Sequence, residues 1–85
     1  MKSLLIATLS LTLAGAALAS PTCAATKEGW KNQEEFKKDL AGQGYQIKTF
    51  KVTKGNCYEI YGTDKAGKKV EIYFDPISGK VIKAE

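Results

Sequence analysis

From Tyr45 onward apolar residues recur at every second position in short runs, and each run ends in a turn containing glycine. That period is the signature of half-buried β-strands. The clearest pair is Cys57–Thr63 and Lys69–Phe74, joined by Lys65-Ala66-Gly67, which fits a three-residue hairpin loop with Gly67 in the left-handed position. The register follows: Gly62 opposes Val70, Ile60 opposes Ile72 and Tyr58 opposes Phe74 on one face, while Tyr61 opposes Glu71 and Glu59 opposes Tyr73 on the other. A one-residue slip would mix apolar and carboxylate positions on both faces. Tyr58, Ile60, Val70, Ile72 and Phe74 are therefore the expected core face.

An earlier strand runs from Tyr45 to Thr53, but its apolar parity changes midway, with Tyr45 and Ile47 on one parity and Phe50 and Val52 on the other. A bulge near Lys48–Thr49 would turn both pairs the same way. After Phe74, the run Asp75-Pro76-Ile77-Ser78-Gly79-Lys80 makes a turn: the Asp75 carboxylate can accept bonds from amides ahead of it, Pro76 presets its own dihedral, and Gly79 accepts a positive φ. A last strand follows from Lys80 to Ala84. A three-residue loop would set Ile82 opposite Phe74 in the core, and a four-residue loop starting at Pro76 would set Val81 there. Both are apolar, so the pattern admits either.

Before the strands, the period changes to that of a helix over about Gln33 to Ala41. Asn32 is placed to cap it, Glu35 completes a capping box, and Glu34 and Glu35 put negative charge in the first turn. Phe36 and Leu40 form the apolar stripe, Trp30 is positioned to pack back onto the first turn, and Gly42 and Gly44 end the helix. So short a helix must lie on the sheet. The expected fold is α+β: one N-terminal helix packed on an antiparallel four-stranded β-meander.

The N-terminus reads differently. Met1 and Lys2 precede an uncharged run from Ser3 to Leu18, and Ala17-Leu18-Ala19 supplies the small residues of a leader cleavage site. Residues 1–19 are thus expected to be a signal peptide, since the run falls below the ~20 residues of a spanning helix, and the product should be periplasmic or secreted. A polar lead-in, 20–29, follows, with Cys23 as its one fixed point, and then a domain over 30–85. Removing the first 19 of 85 residues leaves 66, a size at which a hydrophobic core alone is marginal. The two cysteines, Cys23 and Cys57, are expected to form a disulfide in an oxidising compartment. Cleavage after Ala25 instead would remove Cys23 and leave Cys57 single.

Composition narrows the chemistry. There is no histidine, and all thirteen basic residues are lysine. That leaves no Ser-His or Cys-His nucleophile pair, no imidazole metal ligand and no bidentate guanidinium for phosphate or guanine. Without Lys2, twelve lysines face nine acids, a net charge of about +3, modest for a nucleic-acid binder. No nucleic-acid partner, no cofactor, no metal and no stable membrane anchor after cleavage are implied. Asp64 and Asp75 lie at opposite ends of the third strand, so they cannot share one ion, and turn-capping accounts for both.

The helix exit at Gly44-Tyr45, the run Cys57-Tyr58-Glu59-Ile60, the turn Asp64-Lys65-x-Gly67-Lys68, and Val70-Glu71-Ile72-Tyr73 followed by Asp75-Pro76-x-Ser78-Gly79-Lys80-Val81 resemble the PepSY domain in its short exported form, the peptidase propeptide and YpeB-like group. The likeness spans nearly all of the chain after the leader, with Ser78 where the family more often has threonine. The resemblance implies a helix on a sheet of about four strands and a non-catalytic role. PepSY domains occur in propeptides of secreted metallopeptidases, as proposed inhibitors, and in envelope proteins. The expected function is therefore an exported binding module, not an enzyme, that inhibits or regulates a peptidase or another envelope or secreted protein. Two surfaces could serve it: the sheet edges, or the face bearing Glu59, Tyr61, Glu71 and Tyr73, which otherwise reads as an ordinary solvated sheet face. The alternative is a small envelope protein that binds a small ligand in a groove between helix and sheet, or that serves a membrane-associated redox or sensory partner.

Overall fold

The computed structural model describes residues 20–85; the signal-peptide reading of 1–19 falls outside them. Helix α1 (Gln33–Gly42) is followed by β1 (Gln46–Val52), β2 (Tyr58–Thr63), β3 (Lys69–Phe74) and β4 (Val81–Ala84), which form one antiparallel sheet in the order β1-β2-β3-β4. This is the expected α+β meander. The Asn32 side chain accepts from the Glu35 amide at 3.0 Å, with both first-turn glutamates in place. At the other end Gly42 stays in the last helical turn rather than ending it. The stop comes at Gly44, whose φ of +103° lets the chain reverse and the Tyr45 amide reach the Leu40 carbonyl at 3.1 Å.

The pairing of β2 with β3 is the one the alternation demands, from Tyr58 opposite Phe74 to Thr63 opposite Lys69. The Asp64 amide bonds the Lys68 carbonyl at 2.9 Å, closing a three-residue loop in which Gly67 takes φ +84°. In β1 the register shifts between Ile47 and Thr49, so Lys48 is the extra residue of a bulge, and Ile47, Phe50 and Val52 all pack toward the core. The bulge brings the β1 backbone onto Gly62. A Cβ there would lie 1.9 Å from the Gln46 carbonyl oxygen, so the position tolerates no side chain.

Phe36 organises the core from the helix. Its ring lies 5.1 Å from Tyr58, 5.0 Å from Phe74 and 6.4 Å from Phe50, at inclined or perpendicular angles that suit aromatic quadrupoles. Tyr58, fully buried, donates its hydroxyl to the Lys31 carbonyl, and burial raises the pKa of that hydroxyl. Trp30 finds a different seat from the one its position suggests: it packs edge-on to Tyr58 at 5.5 Å and donates its indole N–H to the Thr26 carbonyl at 2.8 Å.

The last hairpin decides between Val81 and Ile82. Val81 pairs with Phe74, and a register shift makes Ile82 the extra residue of a second bulge. Asp75 Oδ1 accepts from the Ile77 amide at 2.8 Å, Pro76 is fully buried and Gly79 takes φ +81°. Neither candidate is a core residue, however: Val81 is 53% exposed and Ile82 46%. Phe36 packs its ring on Phe50 of β1, Tyr58 of β2 and Phe74 of β3, while Val81 of β4 only lines the open cleft beside it.

The expected Cys23–Cys57 disulfide is formed, with Cα atoms 5.0 Å apart. It does more than staple the ends. The Cys23 amide bonds the Gly55 carbonyl at 2.8 Å, the Asn56 side-chain amide bonds the Ala24 carbonyl at 3.0 Å, and Ala24 is buried. Residues 20–24 thus form a strap against the sheet, where sequence offered only a polar lead-in with one fixed point. The strap passes so close to Gly55 that a Cβ would meet the Pro21 carbonyl oxygen at 2.3 Å. Replacing both cysteines by serine should lower stability by roughly 3–4 kcal/mol on the chain-entropy account of a bridge with this separation, measured by urea denaturation at equal pH. Gly62→Ala should also destabilise, because backbone rather than a flexible side chain occupies the space its methyl needs.

Candidate functional site

The face of the sheet away from α1 carries the four residues singled out above. β2 and β3 place Glu59 opposite Tyr73 and Tyr61 opposite Glu71. The neighbouring strands extend each pair into a row, Lys51–Glu59–Tyr73–Lys83 and Thr49–Tyr61–Glu71. The structure brings all four together but divides them by exposure. Glu59 is 3% exposed and Tyr73 7%, while Tyr61 is 37% exposed and Glu71 half-buried. Cys57 has the same parity as Glu59, so the disulfide pulls the strap onto this face, and Ser20 reaches the Tyr73 hydroxyl. The face is therefore neither an ordinary solvated surface nor wholly open to a partner.

Its electrostatics follow from that cover. The Tyr73 hydroxyl donates to Glu71 Oε2 at 2.9 Å. Glu59 Oε1 has Lys51 Nζ at 3.9 Å, a long contact to a mostly exposed ammonium, and Glu59 Oε2 is buried without a hydrogen-bond partner among the described residues. Burial, and then the adjacent Glu71 carboxyl, raise the Glu59 pKa, with Tyr61, Tyr73 and Lys51 opposing. Glu71 moves the other way, held down chiefly by Glu59, which can donate a proton to it. The two carboxyls titrate as an interacting pair in which Glu59 is the harder to ionise. Tyr73 is pushed up to about 12 by burial and then by its bond to Glu71. Tyr61 is raised as well, first by the Glu71 carboxylate and then by Glu59.

The other features are surfaces. Phe36 and Leu40 are buried, and what remains between helix and hairpin is a shallow cleft of about 270 Å³ along Phe36, Leu40, Phe74, Ser78 and Val81. A wider hollow of about 520 Å³ lies at the far end of the sheet around Ile47, Tyr61, Gly62 and Val70. Ile77, Val81 and Ile82, three of the four exposed large apolar side chains among the described residues, all belong to the last hairpin. The sequence pattern sets either Val81 or Ile82 in the core, according to loop length, and the structure buries neither. Beside Val81 the helix and the hairpin leave an open cleft rather than a packed contact. Gly67, Asp75, Pro76 and Gly79 are turn residues in the structure, and Gly79 also lines the cleft beside Phe36. Among the described residues no group of three or more His, Cys, Asp or Glu side chains could hold a metal ion, and no helix is long and apolar enough to cross a membrane.

A comparison with protein families matches residues 3–85 to the family described as peptidase propeptide and YPEB domain. The chain belongs to that family, as the strand and turn motifs indicated. Neither the curated proteins nor the solved structures contain a match.

The carboxyl pair carries a pH signature in the chain whose Ser20 remains peptide-linked. The raised Glu59 pKa contributes stability that is present below the unfolded carboxyl value and lost as pH rises through the folded value. The lowered Glu71 pKa contributes stability that is lost as pH falls through its own depressed value. Stability should thus peak in the acidic interval where Glu59 is protonated and Glu71 ionised and decline toward neutrality. Glu59→Gln should flatten the decline and add roughly 1–3 kcal/mol at pH 7, the cost of an uncompensated buried polar group, as read from denaturation midpoints across pH.

Proposed function

We propose that this protein is an exported, non-catalytic module that binds a peptidase and restrains it, and that the last hairpin is its contact surface. The observation that carries the reading is the exposure of Ile77, Val81 and Ile82, each about half exposed, along one edge hairpin, with Val81 lining the cleft floored by Phe36 and Phe74. Isolated exposed apolar residues need no explanation, but three within six residues of an edge hairpin are the kind of surface a partner uses. The backbone supports it. Glu71 and Glu85 exchange both N–H···O bonds, at 2.9 and 2.8 Å. By the alternation of antiparallel ladders, Ala84 then turns its N–H and C=O away from β3, toward an incoming extended segment. Membership of a family defined by peptidase propeptides supports the partner class, and a disulfide in so small a domain fits export.

The small-ligand alternative is less well supported. The cleft between helix and sheet, about 270 Å³, falls below the ~300–1,000 Å³ of drug-sized ligand sites. The Tyr/Glu face is also a weaker contact surface than its sequence suggests, since only Tyr61 and part of Glu71 are accessible.

The test is inhibition of a secreted metallopeptidase of the class whose propeptides carry this domain, assayed on a fluorogenic peptide. Wild type should inhibit, Ile82→Asp should weaken inhibition about tenfold or more, equivalent to about 1.4 kcal/mol, and Tyr61→Ala should leave it unchanged. Equal potency of wild type and Ile82→Asp would remove the hairpin from the interface, and loss on Tyr61→Ala would move the interface to the other face.

A further inference from the structure

The buried Glu59 carboxyl poses a problem that the described chain does not solve. One of its oxygens has no hydrogen-bond partner among the described residues, and the charged groups around it are unevenly placed. From β1, Lys51 approaches only Oε1, at 3.9 Å. From β3, Glu71 adds a second carboxyl and Tyr73 a hydroxyl that donates to Glu71. On β2 itself Tyr61 lies beside both acids, and on β4 Lys83 stands opposite Tyr73 with its ammonium 3.0 Å from Glu85. The strap covers this cluster, and its first residue, Ser20, reaches the Tyr73 hydroxyl, which is in turn 2.9 Å from Glu71 Oε2.

Ser20 is also the residue that follows Ala17-Leu18-Ala19. We infer that leader removal after Ala19 completes the cluster: the α-ammonium freed on Ser20 docks on the Glu59–Glu71 carboxyl pair and adds a second cation to the long contact that Lys51 makes there. The step is hydrolysis of the Ala19–Ser20 peptide bond by a leader peptidase. Water gives its hydroxyl to the Ala19 carbonyl and a proton to the Ser20 nitrogen, and the resulting amine protonates below its ordinary pKa of about 7.7–8.0. Covalent geometry holds that nitrogen roughly 3 Å from Ser20's own Oγ, built from bonds of about 1.5 Å, and Oγ is already on the cluster. Three residues on, the disulfide and the Cys23–Gly55 backbone bond fix the strap, so the new charge is held in place. Ser20 itself is exposed, so the ammonium keeps part of its hydration while pairing with a buried acid, which limits the desolvation cost. Glu59 then ionises more readily, and the acid peak in stability described above gives way to a maximum nearer neutrality. The α-ammonium's pKa is raised by the pairing, so its contribution is present below the unfolded amine value and disappears as pH rises through the raised one.

The test uses the 66-residue chain from Ser20, made by synthesis and oxidised to the disulfide, with Ser20 either free or Nα-acetylated. Acetylation should lower the melting temperature at pH 6 by about 5 °C, the shift expected of roughly one lost ion pair in a domain this small, and the gap should close above pH 9. In Glu59→Gln/Glu71→Gln the two forms should melt together. Equal melting of free and acetylated wild type would overturn the inference, as would a gap of the same size in the double variant. If the double variant does not fold, the α-amine is titrated by nitrogen-15 NMR in wild type, where a pKa within the ordinary range would overturn it. N-terminal sequencing of the exported protein must begin at Ser20, and any other start refutes the step. None of these readouts involves a peptidase, so their outcome is separate from that of the proposed inhibition.

Discussion

The fold depends on burying the start of β2 on both faces at once. Cys57, Tyr58, Glu59 and Ile60 are consecutive and all are almost wholly inaccessible. Successive strand residues point to opposite sides, so one cover cannot achieve this. Helix α1 lies over Tyr58 and Ile60, and the strap lies on the side of Cys57 and Glu59. A single short helix would leave this sheet half wet. The disulfide provides the second layer at the expense of five residues, where a second helix would need ten or more. So small a fold thereby gains a doubly covered strand from a tether.

What the alternation dictated was read correctly because several independent signals agreed. The β2–β3 register rested on a Gly67 turn and on two faces of opposite character. The bulge at Lys48 followed from a change of parity that no straight strand could accommodate. The strap was illegible for the opposite reason: Ser20 to Ala24 has no period, and the two positions that accept its approach, Gly55 and Asn56, look like ordinary turn residues. Glu59 was placed on the right face with the wrong surroundings, because a carboxylate on an exposed-looking parity is normally solvated. The last hairpin was read as burying one of Val81 and Ile82, because an apolar position opposite Phe74 was treated as interior, and the structure leaves both about half exposed.

The strap-covered face and the last hairpin consequently have different characters. Near the strap, charge and hydroxyl groups are packed out of water and interact strongly. Near the last hairpin, apolar side chains stand in water beside a shallow cleft. The first arrangement makes stability sensitive to protonation, and the second leaves apolar surface in water. They are set by opposite ends of the chain and meet only through β3, whose Tyr73 and Phe74 point one to each.

The bulge in β1 has a consequence for comparing chain lengths. If Lys48 were absent, Tyr45, Ile47, Phe50 and Val52 would fall on a single parity and alternate without interruption. A relative one residue shorter at this point can thus keep the same four core side chains in an unbroken strand, and a correct alignment of the two places its single-residue gap at Lys48 rather than in the neighbouring turns. The glycine at position 62 would then lose its reason. With no extra residue pressing the β1 backbone toward it, a side chain fits, so the insertion and the glycine should come and go together.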